Sequence, residues 1–199
     1  IEGGKRVADD GPYRGHKHLV FEGGIRVMAI AKWPDCGIEG GRSTGQKMGY
    51  IDVLPTIKEI VAPEMELPNP LDGINILGAL QGNEKLPDRP WYSYHRQRPD
   101  SLERLAIDEN GWKLVTVGPT ILSPEFEEQA EVYLFNIEED PYEKNNLVDQ
   151  YPDKVDQLMK KLRTFRQLET DGGLPPFPVG SEGFENPPHW ETREFKTVW

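Results

Sequence analysis

The chain has 199 residues, and its 23 lysines and arginines against 34 aspartates and glutamates give a formal net charge of -11 at pH 7. This charge argues against a nucleic-acid-binding protein, because neutralising phosphates requires a basic face. Hydrophobic residues make up 36% of the chain, which is enough for a core, while 20 glycines and 18 prolines predict many turns and exclude a coiled coil. No apolar run approaches the roughly 18 to 20 residues that span a bilayer, so we predict no membrane span.

Residues 1–85 have the pattern of the end of an α/β layer. Apolar residues run almost without a break through residues 19–33, which is typical of a strand buried on both faces of a sheet. Residues 50–61 then have the spacing of one helical face, with Asp52 as a plausible N-cap and Pro55 in the first turn. A strand followed by a helix predicts the last units of an α/β layer.

Residues 86–170 have the pattern of a small α+β domain with an antiparallel sheet. Four short β-type runs are separated by turn residues, and Asn110-Gly111 is a strong hairpin signal. The runs are residues 91–94, 105–107, 112–117 and 132–136. A helix that begins at Pro152 should pack on this sheet, because its apolar residues recur at three- and four-residue spacing. These apolar residues are Val155, Leu158, Met159, Leu162 and Phe165. The proline-rich residues 171–199 predict a tail that wraps over a surface.

Several short segments occur in the order and spacing of the motifs of one enzyme family. In the first half they are Pro12-Tyr13-Arg14-Gly15-His16-Lys17, Phe21-Glu22-Gly23-Gly24-Ile25-Arg26-Val27, Ile51-Asp52-Val53-Leu54-Pro55-Thr56 and Leu71-Asp72-Gly73. In the second half they are Gly111-Trp112-Lys113-Leu114, Leu134-Phe135-Asn136 and Asp140-Pro141-x-Glu143-x-x-Asn146-Leu147. These segments resemble motifs of the type I, formylglycine-dependent sulfatases over residues 12 to about 165. The chain departs from the family at Met28, where proline is common, and at residues 106–108, where many members carry an arginine.

The resemblance implies that the chain is the C-terminal part of a sulfatase with an alkaline-phosphatase-like fold. Its first residue is Ile1 and it shows no signal peptide, so we expect a fragment or a processed chain. The family's formylglycine nucleophile arises in a Cys/Ser-x-Pro-x-Arg motif, which the sequence around Cys36 does not match. Formylglycine and most ligands of the family's Ca²⁺ are therefore expected upstream, and the fragment alone should be inactive. Asp9-Asp10-Gly11 resembles the Asp-Asn-Gly segment of the family, whose Asp-Asn pair binds the metal. Only two residues separate Gly11 from Arg14, however, which is a shorter spacing than the resemblance implies.

Lys17 is the candidate catalytic residue. Cleaving a sulfate ester develops negative charge on the sulfuryl and leaving oxygens, which a fixed ammonium group stabilises. Matched to the family's lysine, Lys17 would reach a sulfate oxygen from the loop before the predicted strand. The alternative is a solvated surface lysine. His16 and His18 are candidate substrate-binding residues, because imidazoles can donate to substrate oxygens or shuttle a proton, and the alternative for each is a structural role in the loop.

His95 and Arg96 are further candidate substrate-binding residues. Residues 91–98 combine aromatic, imidazole and guanidinium groups, which stack on sugars and hold acidic groups. The alternative is a strand whose aromatic residues enter the core while its arginines are solvated. We predict a structural role for Arg14, Glu22 and Arg26, since their pairing would set the loop that presents Lys17.

Three functions remain open at this point. The first is a sulfatase that acts on a sulfated carbohydrate or an aryl sulfate, in which this chain packs against the missing N-terminal portion of the catalytic domain. The second keeps the superfamily but hydrolyses phosphate mono- or diesters or phosphonates, because a similar site stabilises either tetrahedral oxyanion. The third is a glycan-binding accessory module without catalysis. The family resemblance implies a periplasmic, secreted or lysosomal location.

Overall fold

A four-stranded antiparallel sheet forms the centre of the C-terminal half of the chain. In the computed structural model, which describes residues 11–66, 70–96 and 102–168, the strands lie side by side in the order β1-β2-β3-β4. They are β1 (Trp91–Arg96), β2 (Glu103–Glu109), β3 (Trp112–Gly118) and β4 (Glu131–Asn136). Each predicted β-type run falls within one of these strands, so the predicted sheet is confirmed.

The hairpin between β2 and β3 forms at the predicted turn. Asn110 and Gly111 have φ angles of 51° and 77°, and Glu109 pairs directly with Trp112 across the turn. A two-residue type I′ turn needs the left-handed conformation at both central residues, and asparagine and glycine adopt it most readily. The local sequence therefore sets the register of the two central strands.

One face of the sheet, which we call the helix face, is covered by the long helix near the end of the described chain. This helix begins at a proline, where a missing backbone N–H is tolerated, and it presents the predicted apolar residues to the sheet. Leu158 and Leu162 are fully buried, and the ring of Phe165 stacks on Tyr92 with 4.4 Å between centroids. The buried core of this face consists of Leu105, Ile107, Leu114, Ile121, Phe126, Leu134, Leu158 and Leu162.

The opposite face, which we call the loop face, is covered by the segment that leads into a short helix, α1 (Glu22–Ile25). Because successive side chains of a strand point to opposite faces, β3 gives Leu114 to the helix face and Val115 to the loop face. The Arg14 guanidinium lies 4.3 Å from the ring centroid of Phe21. The buried core of the loop face consists of Val20, Phe21, Ala106, Val115, Phe135 and Ile137.

The helix that covers the helix face is the longest of the described helices, and the others are shorter. They are α2 (Val53–Val61), α3 (Leu77–Gln81) and α4 (Phe126–Gln129), and the long helix is α5 (Pro152–Arg166). Two three-residue 3₁₀ turns, Pro34–Cys36 and Tyr50–Asp52, precede α2. The helix predicted over residues 50–61 is therefore confirmed, with its first turn in the tighter 3₁₀ form.

Asp52 stands at the N-cap position of α2, but its side chain does not cap the helix. Its carboxylate accepts hydrogen bonds from the backbone N–H groups of Gly49, at 2.9 Å, and Ile74, at 3.0 Å. The predicted N-cap role is therefore wrong, because the carboxylate accepts the N–H groups of Gly49, which precedes the 3₁₀ turn, and of Ile74.

The strand predicted within residues 19–33 does not form. Residues 26–32 adopt no strand, and the side chains of Val27, Met28 and Ile30 are 87%, 88% and 87% exposed. A buried strand needs neighbours that pair its backbone groups and cover both of its apolar faces. Within the described ranges no strand pairs with residues 26–32. The start of the same apolar run is buried, because Val20 and Phe21 pack on the loop face of the sheet.

Three features singled out in the sequence lie outside the described residues. They are Asp9-Asp10, Arg98 and the tail of residues 171–199. Among the helices of the described ranges, none has the length and apolar character needed to cross a bilayer.

Candidate active site

Lys17 lies at the tip of a tight turn before α1, with its side chain exposed. The backbone N–H of Leu19 donates to the carbonyl oxygen of His16 at 3.0 Å, so residues 16–19 form a β-turn. His18 has a φ of 80°, the sign that a type II turn requires at its third residue, where glycine is usual. A residue with a side chain keeps this conformation only where its surroundings hold it. We call residues 16–19 the Lys17 turn.

Two glycines of α1 allow the helix to lie directly against this turn. A Cβ atom on Gly23 would stand 2.7 Å from the carbonyl oxygens of Arg14 and Gly15, and one on Gly24 would stand 2.0 Å from that of Leu19. The N–H of Gly23 donates to the Arg14 carbonyl at 2.7 Å. The Glu-Gly-Gly motif therefore packs helix backbone on loop backbone, which a larger residue would prevent.

The fold brings His18 from the Lys17 turn next to His95 from β1. Nδ1 of His18 and Nε2 of His95 are 3.4 Å apart, and the two ring centroids are separated by 5.3 Å. Arg104 on β2 pairs directly with His95 across the sheet. His16 donates from Nδ1 to the Lys17 carbonyl at 2.8 Å. Cationic and protonatable groups thus gather at one surface, an arrangement suited to binding an anionic group.

Arg96 lies on the other side of the sheet from these residues. It pairs across the strands with Glu103, whose carboxylate holds Arg166 of α5. Since His95 and Arg96 are successive residues of one strand, their side chains point to opposite faces. The structure therefore brings four of the five predicted site residues to the loop face and leaves Arg96 on the helix face.

A group of charged side chains is buried beside α1. Lys113 Nζ lies 2.7 Å from one oxygen of Glu22 and 2.9 Å from one oxygen of Glu143. Lys113 is 0% exposed, Glu143 1% and Glu22 4%. Arg26 pairs with the second oxygen of Glu22 at 2.5 Å, which confirms the structural pairing predicted for these two residues. We call Glu22, Lys113 and Glu143 the buried charge cluster.

The two carboxyl groups of the cluster have pKa values shifted in opposite directions. Burial raises the pKa of Glu22, but attraction to Lys113 and hydrogen bonds from Lys113 and Arg26 outweigh it, so this pKa lies below its usual range. Burial raises the pKa of Glu143 above its usual range, because its contacts with Lys113 and with the backbone N–H of Glu22 do not compensate. Lys113 therefore contacts one carboxyl group with a lowered pKa and one with a raised pKa.

The sequence motifs do not indicate that Lys113 and Glu143 are partners of the segment that carries Lys17. Lys113 alternates with Val115 and Val117 along β3, and period-two spacing places it on an apolar face. That pattern indicates a buried lysine that needs an acidic partner. It does not identify the partner, because Glu143 lies in a turn far along the chain.

A second buried carboxylate joins two more of the sequence motifs. Arg89 donates to Asp52 at 2.6 Å. Burial raises the pKa of Asp52, but the hydrogen bonds from Arg89, Ile74 and Gly49 lower it below its usual range. A Cβ atom on Gly73 would stand 1.9 Å from the Ile51 carbonyl, so the Leu-Asp-Gly segment also needs its glycine for close packing. These contacts hold the start of α2 against the Leu-Asp-Gly segment and Arg89.

The sequence resemblance implies that most ligands of the family's Ca²⁺ lie upstream of this chain. In residues 11–66, 70–96 and 102–168, no three His, Cys, Asp or Glu side chains come together as metal ligands. Calcium prefers six to eight oxygen ligands.

Comparison with known proteins identifies a family and several relatives. The family described as N-sulphoglucosamine sulphohydrolase, C-terminal, matches residues 13–169. Arylsulfatase A from Bos taurus is 28% identical over 167 residues, which cover 77% of this chain and 31% of the relative. N-acetylgalactosamine-6-sulfatase from Canis lupus familiaris is 32% identical over 100 residues, which cover 50% of this chain and 18% of the relative. The chain thus spans about a third or less of the length of these relatives.

Solved structures share the fold. A Bacteroides thetaiotaomicron protein, described in connection with the metabolism of multiple glycosaminoglycans, superimposes with a TM-score of 0.58 at 23% identity, covering 78% of this chain and 32% of that protein. A Bacteroides fragilis protein solved as a candidate sulfatase superimposes with a TM-score of 0.53 at 17% identity, covering 68% and 28%. The predicted fold class is confirmed by these similarities and by the sheet with its one packed helix.

Proposed function

Because the chain belongs to this family of sulfatase C-terminal domains, we propose that the whole protein hydrolyses sulfate esters and that Lys17 binds the sulfate group. The substrate class is a sulfated carbohydrate or an aryl sulfate. The observation that carries the proposal is the exposed Lys17 on a strained turn, held against Gly23 and Gly24 and placed beside the His18–His95 pair. Residues 1–85 would form the end of the catalytic domain and residues 86–170 the small C-terminal domain.

The role of Lys17 follows from the charge that develops during the reaction. As the bond between sulfur and the leaving oxygen breaks, negative charge grows on the leaving oxygen and on the sulfuryl oxygens. The ammonium group of Lys17 is a compact positive charge with three N–H donors. Because the backbone of the turn is held in place, this charge needs little reorganisation when substrate binds. Lys17 would therefore orient the sulfate and stabilise the transition state.

The His18–His95 pair would contact the part of the substrate next to the sulfate. An imidazole can donate a hydrogen bond to a sugar oxygen or to the leaving oxygen, and it can transfer a proton to or from a reacting group. His95 stands on the rigid sheet and His18 on the turn, so the substrate would bind between two elements. His16 would contribute less, because its Nδ1 is engaged by the Lys17 carbonyl. Arg96 stays a prediction from sequence, because its side chain belongs to the helix face.

Further residues of the catalytic domain would cover the exposed apolar segment at residues 27–31. Val27, Met28 and Ile30 are almost fully exposed, and Leu54 and Ile57 of α2 are about half exposed. Large apolar side chains exposed in this number indicate an interaction surface. The formylglycine nucleophile and the Ca²⁺ ion are proposed for that part of the protein. A periplasmic, secreted or lysosomal location is part of the same proposal.

Replacing Lys17 tests this function in the whole protein. Lys17→Ala should lower kcat for 4-nitrophenyl sulfate by about 100-fold or more, as loss of one charge-stabilising donor does. Lys160→Ala is the matched control, since Lys160 is an exposed lysine of α5, and its kcat should equal that of the wild type. The same assays with 4-nitrophenyl phosphate and a phenylphosphonate ester compare the turnover of sulfate, phosphate and phosphonate esters. Unchanged turnover in Lys17→Ala would remove Lys17 from the site, and hydrolysis of the phosphorus esters alone would replace the sulfatase proposal.

A further inference from the structure

We propose that Glu143 is a positioning residue that holds both ends of the loop carrying Lys17, with Lys113 as its counter-ion. The inference rests on the proposed function for its catalytic consequence. Its structural part, a carboxylate that fixes the Lys17 turn relative to the sheet, can be tested without any assay of turnover.

Glu143 binds the loop at two points on either side of Lys17. Its backbone carbonyl accepts a hydrogen bond from Nη1 of Arg14 at 3.2 Å. Its carboxylate accepts one from the backbone N–H of Glu22 at 2.8 Å. Arg14 precedes the Lys17 turn and Glu22 follows it, so a single residue closes the loop. Fixing both ends of a loop reduces the number of conformations that the residues between them can adopt.

The backbone at Glu143 is arranged for this double contact. Glu143 has a φ of 55°, a left-handed conformation that is unfavourable for a residue with a long side chain. Its N–H donates to the Asp140 carbonyl at 3.1 Å, and the Asp140 carboxylate accepts the N–H groups of Lys144 and Asn145, each at 2.8 Å. This turn directs the carbonyl and the carboxylate of one residue toward the same loop. Backbone strain at a buried position persists where the surroundings require it, which is common near functional sites.

Lys113 connects the loop to the same sheet face that carries His95. Lys113 stands on the central strand β3, and its ammonium group contacts both Glu22 and Glu143. The contact with Glu22 is a charge-assisted hydrogen bond, which is directional, so it fixes the distance between α1 and the sheet better than apolar contacts do, and the contact with Glu143 is an ion pair at 2.9 Å. His95 stands on β1 of this sheet and meets His18 of the turn. The buried charge cluster therefore sets the separation between the Lys17 turn and His95.

Glu103 provides a matched control within the same sheet. It is also buried, at 2% exposure, and it also accepts a backbone N–H, that of Ile121, at 2.8 Å. Its cationic partner is Arg166, at 2.5 Å, on the helix face. Glu143→Ala and Glu103→Ala thus each remove a buried carboxylate that holds one backbone N–H and one cation. They differ in whether that backbone belongs to the Lys17 loop.

The experiment measures hydrogen exchange and turnover of both variants in the whole protein, at a temperature where each is folded. Glu143→Ala should accelerate amide exchange in residues 13–21 and lower kcat by about 10- to 100-fold, because small misplacements of a catalytic group have effects of this size. Glu103→Ala should change neither quantity. Equal protection of residues 13–21 in both variants would overturn the proposal. Should Glu143→Ala fail to fold, Glu143→Asp keeps the charge and the backbone contact but withdraws the carboxylate from the Glu22 N–H, and it should give the same local acceleration.

A double variant separates the two proposals. If Glu143 acts through Lys17, the kcat of Lys17→Ala/Glu143→Ala should equal that of Lys17→Ala alone, since the group to be positioned is already gone. Multiplied losses would mean that Glu143 acts elsewhere and would overturn its positioning role. If Lys17→Ala keeps full turnover, the proposed function of Lys17 fails, while hydrogen exchange in residues 13–21 still decides whether Glu143 holds the loop.

Discussion

The two faces of the four-stranded sheet are buried by different kinds of contact. The helix face is mainly a core of apolar side chains shared between the strands and α5, with the buried Glu103–Arg166 ion pair in addition. The loop face has a smaller apolar core together with the buried charge cluster and two glycines that bring backbones into contact. Apolar burial is non-directional and stabilises many similar arrangements, whereas charged hydrogen bonds depend on distance and angle. We therefore expect the helix face to determine stability and the loop face to determine where Lys17 lies.

The largest expected effect on stability is on the helix face. Leu162→Ala removes a side chain that is 0% exposed in the α5 core and should lower the free energy of unfolding by about 2 to 5 kcal/mol. Urea or thermal unfolding of the whole protein measures this loss. Because the loop face is unchanged, kcat per folded molecule should match the wild type. A large fall in kcat of the folded variant would show that the two faces do not have separate roles.

The next largest expected effect is a loss of activity caused by a substitution on the loop face. Gly24→Ala places a Cβ atom where the Leu19 carbonyl oxygen is 2.0 Å away, so the Lys17 turn must move. A displacement of about 1 Å at a catalytic group can lower turnover about 100-fold. Steady-state kinetics with 4-nitrophenyl sulfate should therefore show a reduced kcat.

Gly45→Ala is the control for this substitution. A Cβ atom on Gly45 meets nothing within 4 Å, so this variant should keep the wild-type kcat. The pair distinguishes a local clash from a general effect of replacing glycine in a loop. Normal activity in Gly24→Ala would mean that the position of the turn does not matter for turnover.

The same comparison explains which parts of the structure could be predicted from sequence. The sheet, its Asn110-Gly111 hairpin and α5 follow from local periodicity and turn chemistry, and both sides of each contact lie within this chain. The strand predicted over residues 19–33 rests on the same periodicity, but a strand also needs neighbours. Val20 and Phe21 pack on the loop face of the sheet and are buried, whereas Val27 and Met28 remain exposed.

The candidate site was predictable only in part, for a related reason. Lys17 and its flanking histidines are contiguous, so the motif alone makes them candidates. His95 and Arg96 look equivalent in the sequence. They lie on opposite faces of the sheet because successive side chains of a strand alternate between its two faces. The positioning role of Glu143 depends on a left-handed turn and on contacts with residues more than a hundred positions away, which no local pattern contains.

The smallest expected effects are pH dependences within the buried charge cluster. The pKa of Glu22 is lowered from the usual 4.5, so its ionised form stabilises the fold; this contribution is complete above pH 4.5 and is lost as the pH falls through the lowered value. The pKa of Glu143 is raised from 4.5, so its contribution is complete below pH 4.5 and is lost as the pH rises through the raised value. Glu22→Gln and Glu143→Gln remove these two titrations separately.

The two variants should therefore respond to pH in opposite ways when their Tm values are compared with the wild type between about pH 3.5 and pH 7. The deficit of Glu22→Gln should grow as the pH rises toward 4.5, and that of Glu143→Gln should shrink as the pH rises above 4.5. The reason is that Glu22 is held by two cations, Lys113 and Arg26, whereas Glu143 is buried with Lys113 as its cation and is repelled by the Glu22 carboxylate. If both deficits changed in the same direction, the division of Lys113 between its two carboxylates would be wrong, although the contacts that hold the loop would remain.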